Sequence, residues 1–548
     1  MSMKSTSRYF QMPLGSSSQT SSGSSPLRHK ICWRWCVRYT ILVTAWASIT
    51  VCLWIFSQPS CDSERTQTRA DVTNGKAYSF EPKNLRSPKN NPDFLSHNDN
   101  LDSQSQNVNQ HFQLELINQL SSKTTLLHSS EINTVDFNLE LIRKLQKKAE
   151  RNTLISVYQK NWVGFREIAG SNCQKALHSK GNNSEFPQTV KRTRSSQYIL
   201  DSQDCEAFLH KYGFNRYPKT TEEEKEFPIA FIILFYKDLD QVLFLLRAIY
   251  QLHNVYCLSV DTKASIELLE AVRSVTKCLP NVFVASKLEN IVYAGFSRLM
   301  ADIDCMKDLL QHPVQWKYVI NMPGTQFPLR TNLEMVKILK IFNGGNDIEG
   351  LTGDMLVADR YEFKHTYVTD QETGEMRVKN MFVANDPPPH GLEMVKGSTY
   401  GTFSRAFVEF SLGDPVAKEF LEWCKSVKSP DEYFWGTLHH SKILDVPGGF
   451  KGKPHGKPWL TSFSLWETNP TLKCATIYVH KICIFSPEDF PIFINRAQLF
   501  ANKFYITHHP AALHCLDEML VNLTYSGVTR DLRFYKRVPF AIKKNPSA

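Results

Sequence analysis

Between residues 228 and 322 the chain alternates short apolar runs with stretches of helical periodicity, and this alternation restricts the fold most tightly. Pro228-Ile-Ala-Phe-Ile-Ile-Leu-Phe-Tyr236 is a continuous apolar run, as a strand buried on both faces requires. Residues 239–252 then repeat with helical period. The pattern recurs, with strands expected at Val255–Val260, Asn281–Ser286 and Lys317–Met322 and helices at Ser265–Thr276 and Phe296–Leu310. Such a sequence predicts an α/β domain with a mostly parallel sheet and a ligand at the carboxyl ends of its strands. Those ends carry Tyr236-Lys237-Asp238, Asp261-Thr262-Lys263 and Asn321-Met322-Pro323-Gly324.

The remainder of the 548-residue chain is organised around that domain. Tyr39–Phe56 holds no charged residue and as a helix would span about 27 Å, close to a bilayer core. Arg28, Lys30, Arg34 and Arg38 precede it, while Asp62 and Glu64 are among the first charges after it. The positive side stays cytoplasmic, which predicts a tail at 1–38, a transmembrane signal-anchor at 39–57 and a lumenal body beyond. Residues 58–164 read as a stem, rich in Ser, Asn, Gln and Asp to about 135 and followed by an amphipathic helix at 136–165. The folded lumenal domain is assigned to 165–548. The net charge of +10 resides in the two basic ends, so the near-neutral body is not a polyanion binder by charge.

A lumenal body predicts paired cysteines. Beyond the anchor region the chain has Cys173, Cys205, Cys257, Cys278, Cys305, Cys424, Cys474, Cys483 and Cys515, with no Cys-x-x-Cys knuckle for a metal. Sequons at Asn182 and Asn522 suit a lumenal surface.

Ser429-Pro-Asp-Glu-Tyr-Phe-Trp435 places two carboxylates after a Pro-set turn and before an aromatic cluster. A carboxyl against bulky rings can have its pKa raised into the range of a useful proton acceptor. The same letters also make a good helix start, with Ser or Asp as cap and Pro in the first turn. Two Asp-x-Asp strings invite a metal reading. Asp238-Leu-Asp240 begins a helix, where capping explains it, and Asp302-Ile-Asp304 lies inside one, where a solvated face is expected.

Phe227–Asp238, His253–Asp261, Val284–Leu288, Val292–Ala294, Gln315–Asn321, Phe327–Leu329, Ser429–Trp435 and Phe500–Phe504, in this order, resemble the core 2 β-1,6-N-acetylglucosaminyltransferases and their relatives, glycosyltransferase family 14. The resemblance covers roughly residues 165–520. It implies a GT-A-like fold, with a mostly parallel central sheet and flanking helices, in a type II Golgi membrane protein. It implies an inverting transfer of GlcNAc from UDP-GlcNAc to an O-glycosylated glycoprotein, with no metal and no other cofactor. It also implies the pairs Cys173–Cys515, Cys205–Cys278, Cys257–Cys305 and Cys474–Cys483, with Cys424 left over.

The same resemblance assigns roles. Glu432 matches the general base, with Asp431 as the competing carboxylate. Lys503 matches the diphosphate lysine, and the family's second cation, an Arg, falls on His480 with Lys481 adjacent. Leu234, Phe235, Tyr236, Asp261, Thr262, Lys263 and Tyr293 match the UDP-sugar pocket. Glu349, Arg360 and Trp466 match acceptor-sugar residues, while Val357 and Thr468 depart from the pattern, where Lys and Tyr are usual. Those departures bear on the acceptor rather than on the reaction. Transfer of xylose or glucose from another UDP-sugar, or a silent lumenal glycan-binding protein, are the competing readings.

Overall fold

The computed structural model describes Cys173, Leu177 and residues 191–216 and 220–542, all in the second of two compact units, His111–Ala548. The anchor expected at 39–57, the stem helix and the Asn182 sequon lie outside the described residues. Among those described, no helix is long and apolar enough to cross a membrane.

The strands are β1 (Ile229–Phe235), β2 (Val255–Val260), β3 (Val282–Val284), β4 (Tyr318–Pro323), β5 (Gln326–Pro328), β6 (Phe363–Thr369), β7 (Met376–Ala384), β8 (Thr402–Ser404), β9 (Ser462–Ser464), β10 (Tyr478–Val479), β11 (Ile482–Cys483) and β12 (Phe500–Asn502). The central sheet runs β3-β2-β1-β4-β8, with β8 antiparallel to β4 and the other pairings parallel. Helices Leu239–Ile249, Ile266–Thr276 and Phe296–Gln311 follow β1, β2 and β3. Each element lies within a few residues of its expected position.

β1 shows why its sequence is apolar throughout. Ile229, Phe231, Ile233 and Phe235 join the core on one face of the sheet, while Ala230, Ile232 and Leu234 join the core on the other. With both faces covered, neither position of the two-residue repeat can be polar. Strand order reverses between β1 and β4, and the crevice outside their carboxyl ends is where an open α/β sheet binds ligands.

The four disulfides are Cys173–Cys515, Cys205–Cys278, Cys257–Cys305 and Cys474–Cys483. Cys424 is free and buried. Cys173–Cys515 links residues 342 apart in sequence and contributes on the order of 3–5 kcal/mol in a chain-entropy account. Cys474–Cys483 closes the β10–β11 hairpin. The Asn522 sequon is exposed near the end of the helix Pro510–Ser526.

Candidate active site

A cavity of about 250 Å³ opens at the carboxyl ends of β1, β2 and β4. Leu234, Phe235, Tyr236 and Asp261 line it, with Arg298, Tyr400 and Tyr505. Leu234 and Phe235 are buried, whereas Tyr236 is 56% exposed. Asp261 Oδ1 accepts the amides of Lys263 at 3.0 Å and Ile291 at 3.3 Å, and Lys263 Nζ donates to the Ile291 carbonyl. These bonds tie the β2 loop to the 290s loop. Thr262 is exposed and its amide binds the Glu289 carbonyl at 3.1 Å.

The residues matched to the diphosphate come together at the β10–β11 turn. Lys503 Nζ donates to the Val479 carbonyl at 3.3 Å and lies 5.9 Å from the centre of the Tyr505 ring. Burial pushes its ammonium below the usual lysine range. Val479 begins the turn carrying His480 and Lys481, both at positive φ. The His480 ring stacks toward Tyr293 at 6.4 Å, and Tyr293 is 85% exposed. Lys481 is exposed, and its carbonyl accepts the Glu467 amide at 2.8 Å. Of the two candidates for the second cation, His480 is therefore the one beside Tyr293.

The Ser429–Trp435 stretch does not form the capped helix start that its letters permit. Ser429 is left-handed at φ 52° and makes no side-chain cap, and Pro430–Glu432 is a single tight turn. The Ser429 amide binds the Ala294 carbonyl at 2.7 Å, next to Tyr293. This turn sends its two carboxylates to different places. Asp431 is buried, accepts from Thr399 Oγ1 at 2.9 Å, and is pushed up mainly by burial, with the Arg298 guanidinium opposing. Glu432 is the partly exposed one. Its Oε2 meets Arg360 Nη1 at 2.7 Å and Lys396 Nζ at 2.9 Å. The expected proton acceptor packed on rings is thus corrected: Phe434 and Trp435 are fully buried in the core, and Glu432 sits between two cations instead.

Glu349 belongs to the same group of charges. Burial pushes its carboxyl up, while Lys396 and Lys457 pull it down. Gly397 shows how closely these segments approach: a Cβ there would lie 2.6 Å from the Glu349 carbonyl, and its amide binds the Glu432 carbonyl. Arg360, Glu349 and Glu432 are thereby gathered around Lys396. Trp466 is 50% exposed and keeps other company, its backbone bridging Ile482 beside the β10–β11 turn. Val357 is 40% exposed, with its carbonyl receiving the Tyr433 hydroxyl at 3.3 Å, and Thr468 is exposed.

Both Asp-x-Asp strings are engaged by cations of the protein. Asp238 has φ 59° and does not cap its helix; it pairs with Arg192 at 3.0 Å. Asp240 takes Arg192 Nε at 2.6 Å and the Tyr198 hydroxyl at 2.5 Å. Asp302 and Asp304 are buried, not on a solvated face. Asp302 pairs with Arg298 at 2.7 Å and accepts from Asn321 at 2.8 Å, while Asp304 pairs with Lys287 and Lys307. Burial inverts the expectation because each carboxylate brings a cation with it.

A mostly parallel α/β sheet with a cavity at its strand ends is a mixed α/β architecture that fits the GT-A kind. The family model for the Core-2/I-Branching enzyme matches residues 229–491. A human protein called beta-1,3-galactosyl-O-glycosyl-glycoprotein beta-1,6-N-acetylglucosaminyltransferase 3 is 33% identical over 393 residues, covering 69% of this chain and 88% of that protein. The type 4 enzyme of Danio rerio is 35% identical, covering 58% and 75%, and the type 3 enzyme of Bos taurus is 36% identical, covering 59% and 74%. The chain belongs to the Core-2/I-Branching enzyme family.

Proposed function

We propose that the chain is an inverting transferase that moves GlcNAc from UDP-GlcNAc, in β-1,6 linkage, to an O-glycan on a glycoprotein, without a metal. The observation that carries this reading is the placement of Glu432: a carboxylate beside Arg360 and Lys396, on a turn hydrogen-bonded to the loop of Tyr293. The names of the relatives support the linkage and acceptor class.

In this reading Glu432 takes the proton of the acceptor's primary hydroxyl as its oxygen attacks the anomeric carbon. The bond from that carbon to the β-phosphate oxygen breaks with inversion, and the electron pair leaves with UDP. Arg360 and Lys396 hold the carboxylate in place, so no reorganisation is needed at the moment of transfer. Lys503 and the His480 turn meet the negative charge that develops on the diphosphate. Asp261 accepts hydrogen bonds from the uridine, and Glu349 and Arg360 engage acceptor hydroxyls. The engagement of both Asp-x-Asp strings with protein cations supports the metal-free reading.

The setting we assign is the Golgi lumen, with a single-pass type II anchor at 39–57. Four disulfides suit an oxidising compartment. A panel of UDP-sugars tests the donor: turnover with UDP-GlcNAc and a galactosyl–GalNAc acceptor is expected. Turnover with UDP-xylose or UDP-glucose instead would reject the assignment, as would the absence of any transfer.

A further inference from the structure

β6 and β7 form a two-stranded ribbon whose register breaks at its base. Phe363 pairs with Ala384 and His365 with Asn380, so Met381, Phe382 and Val383 stand opposite Lys364 alone. All three apolar residues of this bulge face solvent, at 46, 79 and 55% exposure. Phe382 has φ 56°, a conformation that bulky residues avoid. Its amide is held by Asn380 Oδ1 at 2.7 Å, and Asn380 Nδ2 donates to Asp359 Oδ1 at 3.0 Å. Asp359 is the neighbour of Arg360, which pairs with Glu432. The bulge is therefore fixed to the segment that holds the base by two hydrogen bonds and one peptide link. Bulges beside active sites re-aim side chains, and backbone strain persists where the surroundings enforce it.

We propose that Met381-Phe382-Val383 is a docking knuckle for the polypeptide that carries the acceptor glycan. The occupant is an extended peptide segment with an apolar side chain near the glycosylated residue. Continuity with the acceptor end of the site favours this occupant, because Asp359, which holds Asn380, adjoins Arg360, the cation paired with Glu432. Size favours it as well: three side chains fall far short of the roughly 800 Å² per partner that a stable dimer buries. The same ribbon is anchored to the site at another point, where the Tyr367 hydroxyl accepts the Ser297 amide at 3.0 Å.

This inference rests on the transferase reading above. The test compares the wild type with Phe382→Asn and Phe382→Gly, which suit positive φ, and with Met381→Ser. Acceptors are a glycopeptide with apolar flanking residues and the same disaccharide on a methyl aglycone. The expected result is a roughly tenfold rise in KM for the glycopeptide, as loss of a buried aromatic anchor gives, with kcat and all constants for the methyl glycoside unchanged. Equal effects on both acceptors, or no effect on either, overturns the knuckle. Loss of self-association in sedimentation, or of flotation with phosphatidylcholine vesicles, in the variants but not the wild type assigns it to another occupant and also overturns it. Failure of the wild type to glycosylate even the methyl glycoside would instead reject the transferase reading.

Discussion

Glu432 meets two cations at 2.7 and 2.9 Å before any substrate arrives, whereas Lys503 rests on a peptide carbonyl at 3.3 Å and faces the Tyr505 ring at 5.9 Å. Glu349 lies within electrostatic reach of Glu432 and is in turn flanked by Lys457 and Asp347. Around Lys503 the nearby His480 and Tyr293 are exposed. In the proposed function this contrast would separate two tasks. The base must be oriented before the acceptor hydroxyl loses its proton, so its surroundings are built in advance. The leaving group brings two negative charges of its own, and its cations are completed by the nucleotide.

The comparison breaks if both ends respond alike to mutation. Glu432→Gln should lower kcat by about 10²–10⁴-fold, the usual worth of a general base, with UDP affinity within about twofold of wild type by calorimetry. Lys503→Ala should weaken UDP binding by roughly 10- to 100-fold for the loss of a charge-assisted contact, and should slow transfer as well because the departing diphosphate loses a cation. Lys396→Met should lower kcat by about tenfold, because Arg360 alone then positions the base, and should leave UDP affinity unchanged.

The smallest effect is in the pH profile. Burial lowers the Lys503 pKa, so its cation is present below that value and lost as pH rises through it. Donor kcat/KM should therefore fall at a pH beneath the ordinary lysine range, and Lys503→Arg should move that limb upward because the guanidinium stays charged. A limb that does not move with the substitution would separate Lys503 from the diphosphate.

The fold was largely legible because burial on both faces leaves a simple signature, and β1 is the clearest case. The cystines were legible through resemblance rather than physics. The partners of the charged groups were not. Lys396 lies in an irregular segment, and the only local sign of its importance is Gly397, which permits the close approach to Glu349. Arg192 pairs with Asp240 across 48 residues, a separation no local pattern reveals. Arg298 with Asp302 was within reach, since four residues apart on a helix places them together. Which carboxylate of Asp431-Glu432 points inward was decided by a tight turn, and both letters allow either outcome.

The central claim is that protein cations, not a bound ion, steady the departing diphosphate while Glu432 takes the proton. Initial rates of GlcNAc transfer from UDP-GlcNAc, measured in EDTA and again after Mn²⁺ addition for the wild type and Lys503→Ala, test it most directly. The account predicts an unchanged wild-type rate in both conditions and a slow Lys503→Ala enzyme that Mn²⁺ does not restore. Abolition of the wild-type rate by EDTA, with recovery on Mn²⁺, would contradict it.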